Sequence, residues 1–313
     1  MCCLFGILDC GNTLTVRQRT KTLSILATAC EIRGTDATGI AYNTNHRLTI
    51  YKRPKAAHSM WFRLPDDANM IMGHTRMATQ GDEKKNFNNH PFPGKAGMDT
   101  FALAHNGVLY NDTTLQVEFN LPPTQIETDS YVAVQLLEKF GSLSELPKMA
   151  ELLRGTFNFT LLDDKDNLYL VKGNNPLCLY HWKQRNLYLY ASTEEILMQA
   201  LQGIPYRFGI PEKIEINEGD IMKIDARGER SLSHFSTDLL GAHGYYGYPY
   251  LYNWDGWLSP TPTSPKKESS YADLLKSMAH TFGYTEHDVE ELLADGFAPE
   301  EIEELFYESA YCY

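Results

Sequence analysis

Apolar residues fall in short runs bounded by turn formers, not in long stripes. Runs at 4–8, 39–43, 48–52, 70–74, 100–105, 157–163, 168–172, 177–182, 187–191 and 220–224 are rich in Leu, Ile, Phe, Tyr and Val. Many end at Gly, Asn, Asp or Pro, which is the signature of strands. Helical spacing appears in 17–32, 128–140 and 194–201. Thr128, ahead of Asp129 and Ser130, reads as a helix start with acidic charge at the positive end of the dipole. Strands outnumber helices and are not each followed by one. That pattern favours an α+β fold: two layered, largely antiparallel sheets with helices outside.

The pattern changes near residue 240. Residues 241–268 open on a Tyr- and Gly-rich stretch and close on Ser-Pro-Thr-Pro-Thr-Ser-Pro, so they read as a linker. The tyrosines form either a docking strip or a cover for the first domain. Residues 269–313 regain helical patterning, as two or three short acidic helices. Thr285 and Asp288 lie at the spacing of a capping box, and Pro299 sits at a helix start. The chain thus reads as a domain at 1–240, a linker at 241–268 and a short acidic helical tail at 269–313.

Composition narrows the function. With 313 residues, 43% of them hydrophobic, the chain has material for a sizeable core. A net charge of −12 disfavours a nucleic-acid surface. No run approaches the ~20 apolar residues of a membrane helix, and no secretory signal opens the chain. The six cysteines, Cys2, Cys3, Cys10, Cys30, Cys178 and Cys312, show neither zinc-like spacing nor the density of a disulfide scaffold. Reduced thiols in a cytoplasm are the expectation.

Four segments carry candidate chemistry. Cys2 comes directly after Met1, and trimming of Met1 leaves a cysteine whose own α-amine, with a pKa of about 7.7–8.0, can take the proton of a thiol of about 8.5. An ordinary buried thiol is the plainer alternative. Gly73-His74-Thr75-Arg76-Met77-Ala78-Thr79-Gln80-Gly81 comes after an apolar run. There Arg76 can grip a carboxylate and Thr79 can add a hydroxyl, or Arg76 is a surface residue in a turn. Ala104-His105-Asn106-Gly107 offers a side-chain amide beside a Gly N–H, two donors suited to an oxyanion, or simply a tight turn. Asp129 in Glu127-Thr128-Asp129 caps a helix or meets a substrate ammonium.

In this order, and with Arg33-Gly34-Thr35-Asp36-Ala37-Thr38-Gly39 and Asn89-His90-Pro91 between them, the segments resemble the class II glutamine amidotransferase domain. Weaker echoes lie at Ala191-Ser192-Thr193-Glu194 and Glu218-Gly219-Asp220-Ile221. The resemblance spans about the first 225 residues. It implies a four-layer αββα sandwich of the N-terminal-nucleophile hydrolase type. It implies L-glutamine as substrate and no metal or organic cofactor. It makes Cys2 the nucleophile, with Asn106 and the Gly107 N–H as the oxyanion hole. Arg76 and Thr79 would hold the α-carboxylate and Asp129 the α-ammonium, with Arg33 and Asn111 in support. Cys3 stands where the family usually has Gly, and Met77 where several members have an aromatic residue, which bears on the shape of the substrate loop. Relatives fuse this domain to an acceptor domain, whereas the segment after residue 240 is short. A separate acceptor or synthase partner is therefore expected. A stand-alone γ-glutamyl amide hydrolase, a non-catalytic binding module, or a scaffold for an acidic interaction tail are the alternatives.

Overall fold

The computed structural model describes residues 2–240 and, beyond them, residues 276, 279, 284–294, 297 and 302. The chain divides into two compact units, Met1–Gly241 and Ala242–Tyr313. The elements of the first are β1 (Cys3–Asp9), α1 (Val16–Ala29), β2 (Ala37–Thr44), β3 (Arg47–Arg53), β4 (Met70–Arg76), β5 (Phe92–Ala96), β6 (Asp99–Leu109), α2 (Asp112–Glu118), α3 (Tyr131–Phe140), α4 (Leu146–Leu152), β7 (Gly155–Asp163), β8 (Leu168–Lys172), β9 (Cys178–Trp182), β10 (Leu187–Ala191), α5 (Glu194–Gly203), β11 (Glu212–Ile214), β12 (Asp220–Ile224) and β13 (Arg230–His234). One sheet has the order β11-β9-β10-β1-β4-β2-β3, the other β13-β12-β8-β7-β6-β5. The pairings are antiparallel, as the strand pattern implied.

Side-chain alternation builds the layers. In β1, Cys3, Phe5 and Ile7 face out and join Leu23, Leu26 and Ala27 of α1 with Ile196 and Leu197 of α5 in one core. Leu4 and Leu8 face in, among Met70, Met72, Ala102, Ala104, Leu162 and Leu170 from both sheets. A third core packs α3 and α4 on the outer face of the second sheet. Because both faces of each sheet are covered, the central strands carry apolar residues on both faces and every residue of β1 is buried. The result is the helix–sheet–sheet–helix sandwich.

Local chemistry sets the helix that backs β1. Thr15 Oγ1 accepts from Gln18 N at 3.3 Å, and Gln18 Oε1 accepts from Thr15 N at 2.9 Å, a complete capping box. Arg19 is fully buried and donates to Asp9 Oδ2 at 3.2 Å and Leu14 O at 3.0 Å, tying α1 to the end of β1. Thr15→Ala should lower stability by about 1 kcal/mol, read as a shift in denaturant midpoint; an unshifted midpoint would show that tertiary packing alone holds this end.

Three details differ from the sequence expectation. The third helix begins at Tyr131, not at Thr128. Residues 128–131 form a tighter turn first, with Tyr131 N donating to Thr128 O at 3.2 Å, and Asp129 is turned to other partners. Asn106-Gly107 lies inside β6, paired with Asn158 and Phe157, and is not a hairpin turn. Strands β5, β11 and β13 and helices α2 and α4 were not foreseen.

In the second unit, α6 (Glu286–Ala294) opens with the foreseen cap: Thr285 N donates to Asp288 Oδ2 at 2.6 Å and Asp288 N to Thr285 Oγ1 at 3.2 Å. Val289 packs with Ala279 and Ile302. The linker expected at 241–268 and the start at Pro299 lie outside the described residues. Among those described, no helix is long and apolar enough to cross a membrane.

Candidate active site

Strand pairing gathers the candidate residues at one end of the sandwich. Cys3 pairs with Thr75, so Cys2 at the start of β1 lies beside Arg76 at the end of β4. Cys2 Sγ reaches Met77 O at 3.5 Å, and Arg33 Nε donates to Cys2 O at 3.0 Å. The Arg33–Asp36 segment is fitted to the same corner. A Cβ on Gly34 would meet the Arg76 carbonyl carbon at 2.4 Å, and Asp36 Oδ2 accepts from Ala78 N at 2.7 Å. Withdrawal of the sulfur from water raises the Cys2 thiol above its ordinary pKa. Hydrogen bonding to Met77, the chain-terminal ammonium and Arg76 oppose that rise, while Asp129 adds to it. The fields of Arg76 and Asp129 thus converge on this sulfur.

Cys3 has a different role. Alternation along β1 turns its side chain to the helix layer, against Cys30 and away from the 77–89 loop. The larger residue in place of Gly therefore fills the outer core and does not reshape that loop. Burial raises the Cys3 thiol, but contacts with Cys30 and Ser192 outweigh it and the net shift is downward.

Arg76 is buried. Its guanidinium donates to Asn89 Oδ1 at 2.8 Å, to Gly81 O at 3.0 Å and to Gln80 O, drawing the 77–89 loop around itself. Asn88 and Glu127 brace that loop: Glu127 N donates to Asn88 Oδ1 at 2.9 Å, Asn88 Nδ2 to Glu127 Oε2 at 2.9 Å, and Lys85 pairs with Glu127. Burial lowers the Arg76 pKa.

On the facing sheet, Asn106 is fully buried with its side-chain Oδ1 unpartnered. The ladder is irregular here. Asn175 Nδ2 donates to Asn106 O at 2.7 Å, and Phe157 N turns to Asn174 Oδ1 at 3.0 Å. Gly107 has a φ of +142°, and a Cβ there would lie 1.9 Å from Thr156 O, so only glycine fits. Asp129 is buried and accepts from Leu109 N at 2.6 Å and from Ser130 N at 2.8 Å and Oγ at 3.1 Å. Ser130 Oγ in turn meets His105 Nδ1 at 2.7 Å, which couples the acidic residue to β6. His74 bridges the sheets, its Nε2 2.9 Å from His105 O, and packs against His90 with ring centroids 4.3 Å apart and planes tilted by 36°. Burial drives the His74 pKa down to about 3, so it is a neutral structural ring at pH 7.

Cys2, Arg33, Arg76, Asn106, Gly107 and Asp129 thus share this end. Thr79 lies exposed on the loop. Asn111 ties chain ends elsewhere: Nδ2 donates to Leu152 O and Oδ1 accepts from Arg154 N, both at 2.9 Å. Sequence reasoning gave no role to Asn88, Asn89, Ser130 or Ser192. Asn89 and Ser192 were visible only as members of the Asn89-His90-Pro91 and Ala191-Ser192-Thr193-Glu194 segments, and Asn88 and Ser130 only as residues flanking the Asn89-His90-Pro91 and Glu127-Thr128-Asp129 segments.

Comparison with known proteins agrees with this geometry. Residues 74–199 match the family model described as glutamine amidotransferase domain. Glutamine–fructose-6-phosphate aminotransferase (isomerizing) of Listeria innocua serovar 6a is 35% identical over 159 residues, covering 48% of this chain and 26% of that protein. The same enzyme of Staphylococcus aureus strain Mu50 is 36% identical over 164 residues, with 48% and 26% covered. The chain therefore spans about a quarter of the length of these curated relatives. Among solved structures, glutamine phosphoribosylpyrophosphate amidotransferase from B. subtilis superimposes with a TM-score of 0.59 at 20% identity, over 76% of this chain and 50% of that one. The likeness in fold and the matched segment agree: residues 74–199 are similar to a glutamine amidotransferase domain, and the chain's fold is similar to that of a glutamine-dependent amidotransferase.

Proposed function

We propose that residues 1–240 hydrolyse the side-chain amide of L-glutamine through a Cys2 thioester and pass the ammonia to an acceptor on a separate partner protein. One observation carries this reading: strand pairing sets Cys2 beside Arg76, its sulfur 3.5 Å from Met77 O, with Arg76 and Asp129 offering one charge of each sign around it. A glutamine zwitterion has the complementary pair of charges. Removal of Met1 frees the α-amine of Cys2. The thiol gives its proton to that amine, sulfur bonds to the amide carbon, and the carbonyl electrons move to oxygen, where the Asn106 and Gly107 N–H groups meet them. The C–N bond breaks, ammonia leaves with the proton from the α-ammonium, and water releases glutamate and restores the thiol. Arg76 now holds the Gln80 and Gly81 carbonyls. The substrate α-carboxylate replaces them as its partner, and Thr79 closes over it. Three of the roughly four lone-pair sites of Asp129 are filled, which leaves one for the α-ammonium. Arg33 holds the chain beside the nucleophile through the Cys2 carbonyl, while Asn111 braces the chain at Leu152 and Arg154.

The test is intact-protein mass spectrometry after treatment with diazo-oxo-norleucine. A mass lacking Met1 and carrying one adduct, mapped to Cys2, is the expected result. An adduct on another cysteine, or none, would end the nucleophile assignment. For the acceptor, glutamine labelled with nitrogen-15 in its amide is fed to lysates containing wild-type or Cys2→Ser protein. Label should enter a product only with the wild type. Label found solely as free ammonium would instead make the chain a stand-alone amide hydrolase.

Asp129→Asn keeps the shape and one acceptor oxygen but removes the charge. Losing a hydrogen bond to a charged group is worth about 1.5–3 kcal/mol, so KM for glutamine should rise about tenfold or more with a smaller change in kcat. An unaltered KM would take Asp129 out of the clamp.

A further inference from the structure

Ser192 stands just past β10, fully buried, between the nucleophile strand and the oxyanion amide. Leu4 N, two residues from Cys2, donates to Ser192 Oγ at 2.8 Å. Asn106 Nδ2 lies 3.3 Å from the same oxygen, and Asn106 Oδ1 is buried with no partner. On the glutaminase reading, that orientation presents an acceptor oxygen where a donor is wanted and commits one of the two N–H donors to a hydroxyl. A half turn of the amide reverses both faults. Ser192 already accepts from Leu4 N–H, so its own O–H is free to donate to Asn106 Oδ1, and the NH2 then faces the substrate. The same hydroxyl touches Cys3, whose sulfur is a poorer acceptor than an amide oxygen.

We infer that Ser192 is a positioning residue: it receives the Leu4 N–H and gives its hydroxyl proton to Asn106 Oδ1, which fixes the Asn106 NH2 toward the developing oxyanion. One hydroxyl thereby links the strand bearing the nucleophile in one sheet to the strand bearing the oxyanion donor in the other. The inference rests on the glutaminase reading above and adds the group that selects the amide's orientation.

Glutamine hydrolysis is measured for wild type, Ser192→Ala, Ser192→Thr, Asn106→Ala and the Ser192→Ala/Asn106→Ala double variant, each with its melting curve. Ser192→Ala should lower kcat about tenfold or more, below the ~10²–10³ of losing an oxyanion donor outright, with KM little changed. Ser192→Thr, which keeps the hydroxyl, should recover most of that loss. In the Asn106→Ala background Ser192→Ala should cost little further, because the amide it orients is gone. A purely structural serine would lower the melting temperature and reduce kcat equally in both backgrounds, and that result overturns the inference. Full activity of Ser192→Ala beside an impaired Asn106→Ala also overturns it and leaves the glutaminase reading intact. A wild type that releases no ammonia from glutamine removes both.

Discussion

Cys2→Ser should reduce glutamine hydrolysis on the order of 10⁴-fold or more, to the limit of detection, with the fold and melting temperature unchanged. The change is one atom at a half-buried position, so packing hardly alters. The chemistry alters greatly. Burial already raises the Cys2 thiol, so the nucleophile depends on a nearby base to lose its proton at neutral pH. An alcohol is a much weaker acid than a thiol, and the α-amine has too little driving force to deprotonate it. Cys3 offers no rescue, since alternation turns it into the outer core with Phe5 and Ile7. Cys3→Ala accordingly serves as the matched control and should keep most of the activity. Ammonia release by Cys2→Ser at a rate comparable to wild type would refute covalent catalysis at this residue.

How much of the fold was legible in the sequence depends on where each element lies. The ten strands visible as apolar runs include all those in the middle of the two sheets, where both faces are covered and apolar residues serve both. The three that escaped, β5, β11 and β13, are sheet edges. Edges need fewer apolar residues and tolerate Pro93 and Gly94 in β5, or the fully exposed Arg-Ser-Leu-Ser-His of β13. Helices α2 and α4 have seven residues each, too few to display a period.

The site divides in the same way. Cys2, Arg76, Asn106 and Asp129 could be nominated because their side chains have chemistry that their sequence order supports. The residues that aim them could not. Asn89 is written nowhere as a guanidinium partner, nor Ser130 as the link from Asp129 to His105; those roles exist only once β4, β6 and the α3 approach are folded together. Gly107 is intermediate. Its identity hinted at backbone freedom, but the reason, a positive φ against the Thr156 carbonyl inside a strand, needed the pairing of β6 with β7.

Asn106→Ala should lower kcat about 10²–10³-fold, or 2.7–4 kcal/mol, with KM for glutamine little affected. The asymmetry is the diagnostic part. Glutamine's ground-state carbonyl carries little charge, so the amide contributes little to binding; the full negative charge exists only on the way to the tetrahedral intermediate. In this dry setting, with Asn106 at no exposure between the two sheets, water cannot enter easily to replace the lost donor. The Gly107 N–H remains, which is why the loss falls short of that from removing the sulfur. The backbone bond from Asn175 to Asn106 O also survives, so the strand should stay in register and the melting temperature should fall only modestly. Asn106→Asp sharpens the test: it preserves volume but, when ionised, presents acceptors and a negative charge in place of the NH2, and above the pKa of that carboxyl it should be at least as slow as alanine. An Asn106→Asp enzyme of near wild-type kcat would mean the oxyanion forms elsewhere, and the arrangement of β1 against β6 would need another explanation.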